Sequence, residues 1–209
     1  MTKVILFDFW GTLVENGVWS PTKQVQHTLR VDLPFSEFVV RLEQAMMTKQ
    51  FPTLIDAFKA VCHEFNLSEE SDIDYLVGMW NRSWMLSTMY PEVKETLEKL
   101  SKTHRLILIS NTDSFSLNRA LDKFNLAPYF EKMFLSYEMG IIKTHKDFFT
   151  TILDQLKIKP EECVMVGDSI QSDIEPATVA GIKAILVDRK GRRDHSNKIA
   201  SLTELEILI

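Results

Sequence analysis

Carboxylates, hydroxyls and one lysine follow the short apolar runs of this chain. Asp8 comes directly after the run 4–7 and begins a turn that contains Gly11 and Thr12. A carboxylate at the end of such a run can act as a nucleophile or as a metal ligand. The later runs are followed by further polar residues, namely Ser110 with Asn111 after 105–109, Lys143 after 133–135, and Asp168 with Asp173 after 163–166.

Three of these residues suit covalent chemistry at phosphorus beside a bound cation. An attacking Asp8 would form an acyl phosphate, which divides one difficult hydrolysis into two easier steps. Asp168 and Asp173 add two carboxylates, and clustered carboxylate oxygens are the ligands that Mg²⁺ accepts. Without a cation, three close carboxylates would repel one another and raise their pKa values. The pattern therefore predicts a divalent metal site that includes Asp8.

The remaining polar residues suit phosphate binding. The Ser110 hydroxyl and the backbone amide of Asn111 can donate hydrogen bonds to phosphate oxygens, although a Ser-Asn turn before a helix is also ordinary capping chemistry. Lys143 can offset the negative charge that gathers between Asp8 and a phosphoryl group. Lys146 lies close in sequence, and it is the alternative candidate for that role.

The apolar runs predict β-strands, and the segments between them predict amphipathic helices. Consecutive apolar residues indicate strands that are buried on both faces of a sheet. Val93, Leu97 and Leu100 recur on one side of an intervening helix. Strands that alternate with helices in this way indicate an α/β fold with a parallel, doubly wound sheet. The predicted strands cover about residues 3–9, 105–109, 133–135, 163–166 and 184–187.

Residues 16–88 interrupt the alternation with three helical apolar stripes, and Pro34 and Pro52 mark the joins between them. We therefore predict a core made of residues 1–15 and 89–209, with residues 16–88 inserted as a helical unit. In an open α/β sheet, ligands bind at the carboxyl ends of the strands. Because the candidate residues follow the predicted strands, we expect them to meet at one edge of the sheet.

In this order, segments 8–12 and 110–112, Lys143 and segment 167–173 resemble the motifs of the haloacid dehalogenase superfamily. Members of that family are mostly magnesium-dependent phosphohydrolases. The resemblance implies a Rossmann-like core, with the helical insertion as a mobile cap over the active site. It implies that Asp8 and Lys143 are catalytic and that Ser110, Asn111 and Lys143 bind the substrate. It also implies Mg²⁺ held by Asp8, Asp168 and the backbone carbonyl of Trp10, with Asp173 binding directly or through water.

Trp10 departs from the pattern of the family's phosphatases, which usually carry a second Asp two residues after the nucleophile. That Asp protonates the leaving oxygen and later activates water. General acid–base help of this kind is typically worth about 10²–10⁴ in rate. If no other residue replaces it, phosphate esters with weakly basic leaving groups should react much faster than alkyl esters.

Trp10 also leaves three alternatives to a phosphatase. Haloacid dehalogenases carry an aromatic residue at this position, but they replace the first Asp of the last motif, which is intact here as Asp168. The phosphonate-cleaving branch uses a cap lysine, for which Lys23, Lys49 and Lys59 are available. The third alternative is a phosphate-binding protein with little catalysis. The intact metal motif favours a phosphatase.

Composition narrows the function classes further. A net charge of −5 argues against a nucleic acid or an anionic membrane surface as partner. The basic run 189–193 is expected to be a solvated loop rather than an anion clamp. Cys62 and Cys163 lie in apolar stretches, which predicts buried free thiols in a reducing compartment. We therefore expect a cytoplasmic hydrolase, without signal peptide or membrane span, that acts on a small phosphorylated metabolite as a monomer or homodimer.

Overall fold

A six-stranded parallel sheet forms the centre of the molecule. The computed structural model describes residues 2–68 and 72–209. The sheet has the order β5-β4-β1-β6-β7-β8, and β2 pairs separately with β3 in antiparallel orientation. The strands are β1 (Val4–Phe7), β2 (Val14–Glu15), β3 (Thr88–Met89), β4 (Arg105–Ser110), β5 (Lys132–Leu135), β6 (Cys163–Gly167), β7 (Lys183–Val187) and β8 (Lys198–Ile199).

Strand β1 occupies the middle of the sheet because all four of its residues are apolar and fully buried. Phe7, its last residue, lies level with Leu108 of β4 and Val166 of β6. Parallel strands in this register bring their carboxyl ends to the same edge of the sheet. The prediction of a parallel sheet is confirmed, and each of the five predicted strands is present with ends that differ by no more than two residues.

Helices cover both faces of the sheet. Ile5 and Phe7 of β1 face one apolar core, and Val4 and Leu6 face a second core on the opposite side. The doubly wound arrangement is therefore confirmed. The α-helices are α1 (Pro21–Leu29), α2 (Phe35–Met46), α3 (Leu54–Glu64), α4 (Ile73–Met85), α5 (Val93–Leu100), α6 (Ser116–Phe124), α7 (Ser136–Met139), α8 (Phe148–Leu156), α9 (Glu175–Val179) and α10 (Leu205–Leu208).

Helices α1 to α4 form a separate apolar core, and we call this unit the cap. Phe38, Leu42 and Met46 recur at helical spacing on α2 and are fully buried there. They pack in a cluster that also contains Phe58 of α3 and Leu76 of α4. The cap follows β2 and precedes β3 in the chain.

Two crossing segments join the cap to the sheet, and they approach closely at Gly17. The Gly17 amide donates a hydrogen bond to the Ser83 carbonyl oxygen at 2.7 Å. A Cβ atom on Gly17 would lie only 2.4 Å from the backbone carbonyl carbon of Leu86. A glycine is therefore required at this position for the segments to pass each other.

Trp80 of α4 ties the cap to the loop after β4. Its indole Nε1 donates a hydrogen bond to Oδ2 of Asp113 at 2.8 Å. The other oxygen of Asp113 accepts from the backbone amides of Phe115 and Ser116, both at 2.8 Å. Asp113 is almost fully buried, so its charge depends on these three donors for compensation.

Replacement of Trp80 by phenylalanine is expected to lower the free energy of unfolding by about 1–3 kcal/mol, since it leaves one oxygen of a buried carboxylate without its donor. The ring of phenylalanine retains most of the apolar contact. Urea denaturation of both proteins measures the difference. Trp84→Phe is a suitable control, because the Trp84 indole donates only to Asn81 on the same helix. Equal stabilities of the wild type and Trp80→Phe would show that the Asp113 contact contributes nothing.

Both cysteines, Cys62 in the cap and Cys163 in β6, are buried and form no disulfide, as predicted. Burial raises the pKa of the Cys163 thiol to about 12, so this thiol is not reactive at neutral pH. Within residues 2–68 and 72–209, none of the helices combines the length and the apolar character needed to cross a bilayer.

Candidate active site

Asp8 lies at the carboxyl end of the central strand, and its carboxylate is almost fully buried. Its backbone amide donates to the carbonyl oxygen of Val166 at 2.9 Å, which continues the sheet pairing one residue beyond β1. The hydroxyl of Thr12 donates to Oδ2 of Asp8 at 2.9 Å. The turn predicted from Gly11 and Thr12 thus returns a hydrogen bond to the proposed nucleophile and fixes its orientation.

Lys143 contacts two of the predicted site carboxylates. Its ammonium donates to Oδ1 of Asp8 at 2.6 Å and to Oδ1 of Asp173 at 2.7 Å. The side chain is only 2% exposed. Lys146, the alternative candidate, is exposed. The geometry therefore favours Lys143 as the cation of the site.

Asp8, Asp168 and Asp173 form a group of carboxylates. Each of them offers an oxygen, and these oxygens lie within 4.8 Å of one another. Asp173 belongs to a π-helical turn, Ile170–Ile174, and its Oδ2 accepts a hydrogen bond from the Ser169 amide at 3.0 Å. An all-oxygen donor set of this kind fits a hard divalent cation.

Two glycines leave room for these carboxylates. Gly11 has a φ of +80°, and a Cβ atom there would lie 2.5 Å from Oδ2 of Asp168. A Cβ on Gly167 would lie 2.4 Å from Cγ of Asp173. Both contacts are shorter than side chains tolerate, so the backbone at both positions is shaped around the acidic group.

The electrostatics of this group favour a bound cation. Burial raises the pKa of the Asp8 carboxyl, against the opposing charge of Lys143. Burial, together with the charges of Asp8 and Asp173, raises the pKa of Asp168 to about 8, although 32% of its side chain is exposed at the cavity. The two carboxylates beside Lys143 raise the pKa of its ammonium. Lys143 and Arg193, which lies 3.6 Å from Asp168, still leave the three carboxylates with an excess of negative charge, which a divalent ion would offset.

A cavity of about 320 Å³ lies between Asp168, one member of this group, and the cap. Trp10 lines the cavity, and its ring packs edge-on against the ring of Phe9, with 4.9 Å between the ring centroids. The indole at this position offers no exchangeable carboxyl proton. Asp168 and Ser169 contribute from the sheet side, and the cap contributes aliphatic and aromatic side chains, namely Phe35, Val39, Met47, Trp80 and Trp84.

Ser110 is the last residue of β4 and Asn111 follows it, at the same edge of the sheet. Ser110 is fully buried. The side chain of Asn111 accepts from the Lys143 amide at 2.9 Å and donates to Glu43 at 2.7 Å. The amide of Thr112 donates to the Ser136 hydroxyl at 3.0 Å. Phosphate contacts by Ser110 and by the Asn111 amide stay predictions.

Glu43 is a cavity residue that sequence reasoning missed. It comes from α2 of the cap, and its Oε2 accepts the hydrogen bond from Asn111. The sequence contained one signal. Residues at intervals of four along α2 and just beyond its end line the cavity, and Glu43 is the charged member of that apolar row, which consists of Phe35, Val39, Glu43 and Met47.

The basic run 189–193 was predicted to be a solvated loop, and this prediction is wrong for two of its residues. Arg189 is mostly buried, because its guanidinium pairs with Glu92 at 2.6 Å and covers the ring of Tyr90. Arg193 lines the cavity, and its guanidinium lies 3.6 Å from Oδ2 of Asp168. The loop follows β7, so it begins at the carboxyl edge of the sheet, a position that depends on the strand order and not on the local charge pattern.

A family model for haloacid dehalogenase-like hydrolases matches residues 2–181. The chain belongs to this family. The match covers the sheet from β1 to β6, the cap, and every residue of the site described above except Arg193. The resemblance inferred from the sequence motifs is confirmed, and so is the assignment of the chain as a hydrolase.

The chain is similar in sequence to a phosphatase, and similar in fold to both a dehalogenase and a phosphatase. A glyceraldehyde 3-phosphate phosphatase from Methanothermobacter thermautotrophicus is 34% identical over 209 residues, which cover 95% of this chain and 92% of the relative. A 2-haloacid dehalogenase from Pseudomonas syringae superposes with a TM-score of 0.66 at 21% identity, covering 100% of this chain and 98% of the other. A phosphatase from Thermococcus onnurineus superposes with 0.65 at 22% identity, covering 99% and 97%. The fold alone therefore does not distinguish the two reactions.

Proposed function

We propose that the protein is a Mg²⁺-dependent phosphatase that hydrolyses a small phosphate monoester through an aspartyl phosphate at Asp8. The observation that carries this proposal is that Asp8, Asp168 and Asp173 offer oxygens within 4.8 Å of one another, while the ammonium of Lys143 contacts Asp8 and Asp173. Displacement of a halide at carbon needs no cation, whereas transfer of a phosphoryl group benefits from one. An intact set of oxygen ligands therefore favours phosphoryl chemistry.

The residues of the site have distinct roles in this proposal. Thr12 and Lys143 hold the Asp8 carboxylate by hydrogen bonds at 2.9 and 2.6 Å, which orients one oxygen towards phosphorus. Lys143 also stabilises the negative charge that develops during transfer. Asp8, Asp168, Asp173 and the backbone carbonyl of Trp10 would hold Mg²⁺, which supplies charge neutralisation when bound.

The substrate class rests on the relatives and on the cavity. The glyceraldehyde 3-phosphate phosphatase from Methanothermobacter matches along nearly the whole of both chains. The cavity of about 320 Å³ suits a small molecule. We therefore propose a small phosphorylated metabolite as substrate, with Ser110 and Asn111 among its phosphate contacts. We also propose residues 16–88 as the cap domain, with residues 1–15 and 89–209 as the catalytic core of a monomer or homodimer.

A dehalogenase is the second candidate, because Trp10 gives the cavity an aromatic wall beside the nucleophile. The Asp168 carboxyl argues against it, since it belongs to a group of oxygen ligands for a cation that halide displacement does not need. The phosphonate-cleaving reaction has less support. Among the residues that the structure describes, the lining of the cavity includes none of Lys23, Lys49 and Lys59.

With Mg²⁺ present, the purified protein is expected to release phosphate from an aryl phosphate, and chelation is expected to reduce that rate by at least about 100-fold. The reason is that a bound cation contributes several kcal/mol to stabilising the transition state. The measurement is hydrolysis of nitrophenyl phosphate with Mg²⁺ and with EDTA, beside chloride release from 2-chloropropionate. Re-addition of Mg²⁺ is the control for damage by the chelator.

Each outcome of this experiment bears on the proposal. Metal-dependent phosphate release supports the phosphatase. Chloride release that survives chelation would replace it with the dehalogenase. Release of neither phosphate nor chloride would contradict hydrolysis of simple phosphate esters and favour the phosphonate or binding alternatives.

A further inference from the structure

Helix α2 presents two different faces, and one of them belongs to the candidate active site. Residues three and four apart share a face of a helix. Phe38, Leu42 and Met46 form the buried face inside the cap. The row that contains Glu43 forms the neighbouring face and lines the cavity. Glu43 is thus an ionisable side chain that the cap places in the cavity with Asp168, within electrostatic reach of Lys143, Asp173 and Asp8.

Asn111 fixes the position of the Glu43 carboxyl group. The Lys143 amide can only donate, so Oδ1 of Asn111 is the acceptor of that bond, and Nδ2 is the donor to Oε2 of Glu43. The two bonds measure 2.9 and 2.7 Å. For the second oxygen, Oε1, no hydrogen-bond partner occurs within residues 2–68 and 72–209. This oxygen is available to a ligand in the cavity.

The other acids that line the cavity have other contacts or roles. Both oxygens of Asp113 accept hydrogen bonds from Trp80 and from backbone amides. Asp168 belongs to the proposed metal ligands. Glu43 is therefore the cavity acid that remains for proton transfer.

We propose that Glu43 is the general acid and base of the reaction and replaces, from the cap, the carboxyl group that Trp10 cannot supply. This assignment rests on the phosphatase function proposed above. Displacement at phosphorus brings the attacking and leaving oxygens roughly into line. The alcohol therefore departs on the side opposite Asp8, and water later enters from that side. A single group on the cap can serve both steps.

The proton balance closes over the two steps. In the first, a carboxylate oxygen of Asp8 bonds to phosphorus, the bond from phosphorus to the ester oxygen breaks, and Glu43 gives its proton to that oxygen. In the second, water attacks the phosphorus of the aspartyl phosphate while the Glu43 carboxylate takes a proton from it. Phosphate leaves, Asp8 is free again, and Glu43 is again protonated.

The surroundings of Glu43 suit this role. Burial raises the pKa of its carboxyl group to about 7, against the hydrogen bond from Asn111 and the charge of Lys143. Asp173 and Asp8 act in the same direction as burial. Across the cavity lie Asp168 and Arg193, with opposite charges. A carboxyl group that titrates near neutral pH can both give and take a proton at working pH.

The test is the substitution Glu43→Gln, because glutamine keeps an oxygen that accepts the Asn111 bond and removes only the exchangeable proton. Hydrolysis of propyl phosphate and of nitrophenyl phosphate would be compared, with Mg²⁺ present. Because kcat/KM covers the steps up to departure of the alcohol, it isolates the role as an acid. We expect kcat/KM for propyl phosphate to fall by about 10²–10⁴ and that for nitrophenyl phosphate by less than about tenfold. The wild type should lose propyl phosphate turnover as pH rises through about 7, and Glu43→Gln should lack that decline.

The matched control is Glu37→Gln, which changes an exposed glutamate on the same helix. It should leave kcat/KM unchanged for both substrates. Continued turnover of nitrophenyl phosphate by Glu43→Gln shows that the site is folded. An equal loss on both substrates, or no loss on either, would overturn the role of Glu43 while leaving the phosphatase intact. Absence of phosphate release by the wild type would instead overturn the phosphatase function, and the role of Glu43 with it.

Discussion

Replacement of Asp8 by asparagine is expected to lower kcat/KM for phosphate release by at least about 10⁴-fold. Removal of the nucleophile from a group of catalytic residues that act together causes some of the largest rate losses known in enzymes. The amide of asparagine does not form an acyl phosphate. It keeps the shape of Asp8 and can still accept the bond from Thr12, which measures 2.9 Å in the wild type. The measurement is hydrolysis of nitrophenyl phosphate under saturating Mg²⁺.

A control variant and a folding measurement test whether the loss is specific to the nucleophile. Asp122→Asn changes an exposed aspartate on α6, and it should retain wild-type turnover. Thermal unfolding of Asp8→Asn should be cooperative, since the change removes a charge that burial disfavours. Turnover of the folded Asp8→Asn protein within tenfold of the wild type would rule out an aspartyl phosphate at this residue.

Replacement of Lys143 by methionine is expected to lower the free energy of unfolding at neutral pH by about 3–5 kcal/mol, as is typical when one partner of a buried ion pair is removed. The ammonium is 2% exposed and contacts Asp8 and Asp173 at 2.6 and 2.7 Å. Methionine fills similar space but leaves both carboxylates without a cation. Turnover should also fall by about 10²–10³, the usual effect of removing one electrostatic donor.

The stability loss in Lys143→Met should depend on pH in a defined direction. Loss of the ammonium raises the folded-state pKa of Asp8 further above its unfolded value, and it is already about 6 with Lys143 present. The folded variant then binds more protons than the unfolded chain, so its stability falls as pH rises. Relative to the wild type, the deficit should be largest at alkaline pH and should shrink as pH falls to about 6, because below that value Asp8 is protonated in both folded proteins.

Urea denaturation at several pH values, with EDTA present so that no divalent ion replaces the ammonium, measures this dependence. The matched control is Lys146→Met, three residues along the same loop. Lys146 is exposed, so its replacement should change the free energy of unfolding by no more than about 0.5 kcal/mol at any pH. A deficit in Lys143→Met that grows on acidification would contradict the assigned pairing with Asp8 and Asp173.

The sequence by itself determined the sheet and the polar residues at its edge. Runs such as residues 4–7 are apolar at every position, and only a strand buried on both faces accommodates them. The direction of parallel strands then brings Asp8 and Asp168 together at the carboxyl edge, and the segment that carries Lys143 starts from the same edge. These conclusions depend on local pattern and on a general rule of topology, so they did not require knowledge of packing.

Only the tertiary structure decided what the cap contributes. The apolar stripe of α2 predicted a helix. It did not distinguish Phe38, on the buried face, from Val39, on the cavity face, and it did not include Glu43. Arg193 was likewise assigned to solvent, although the loop after β7 brings it to within 3.6 Å of Asp168. Helical periodicity shows which side of a helix is apolar, but the rotation of that helix over the sheet is set by packing between distant segments. For this reason the sequence located the carboxylates of the core, and the fold located the acid that faces them.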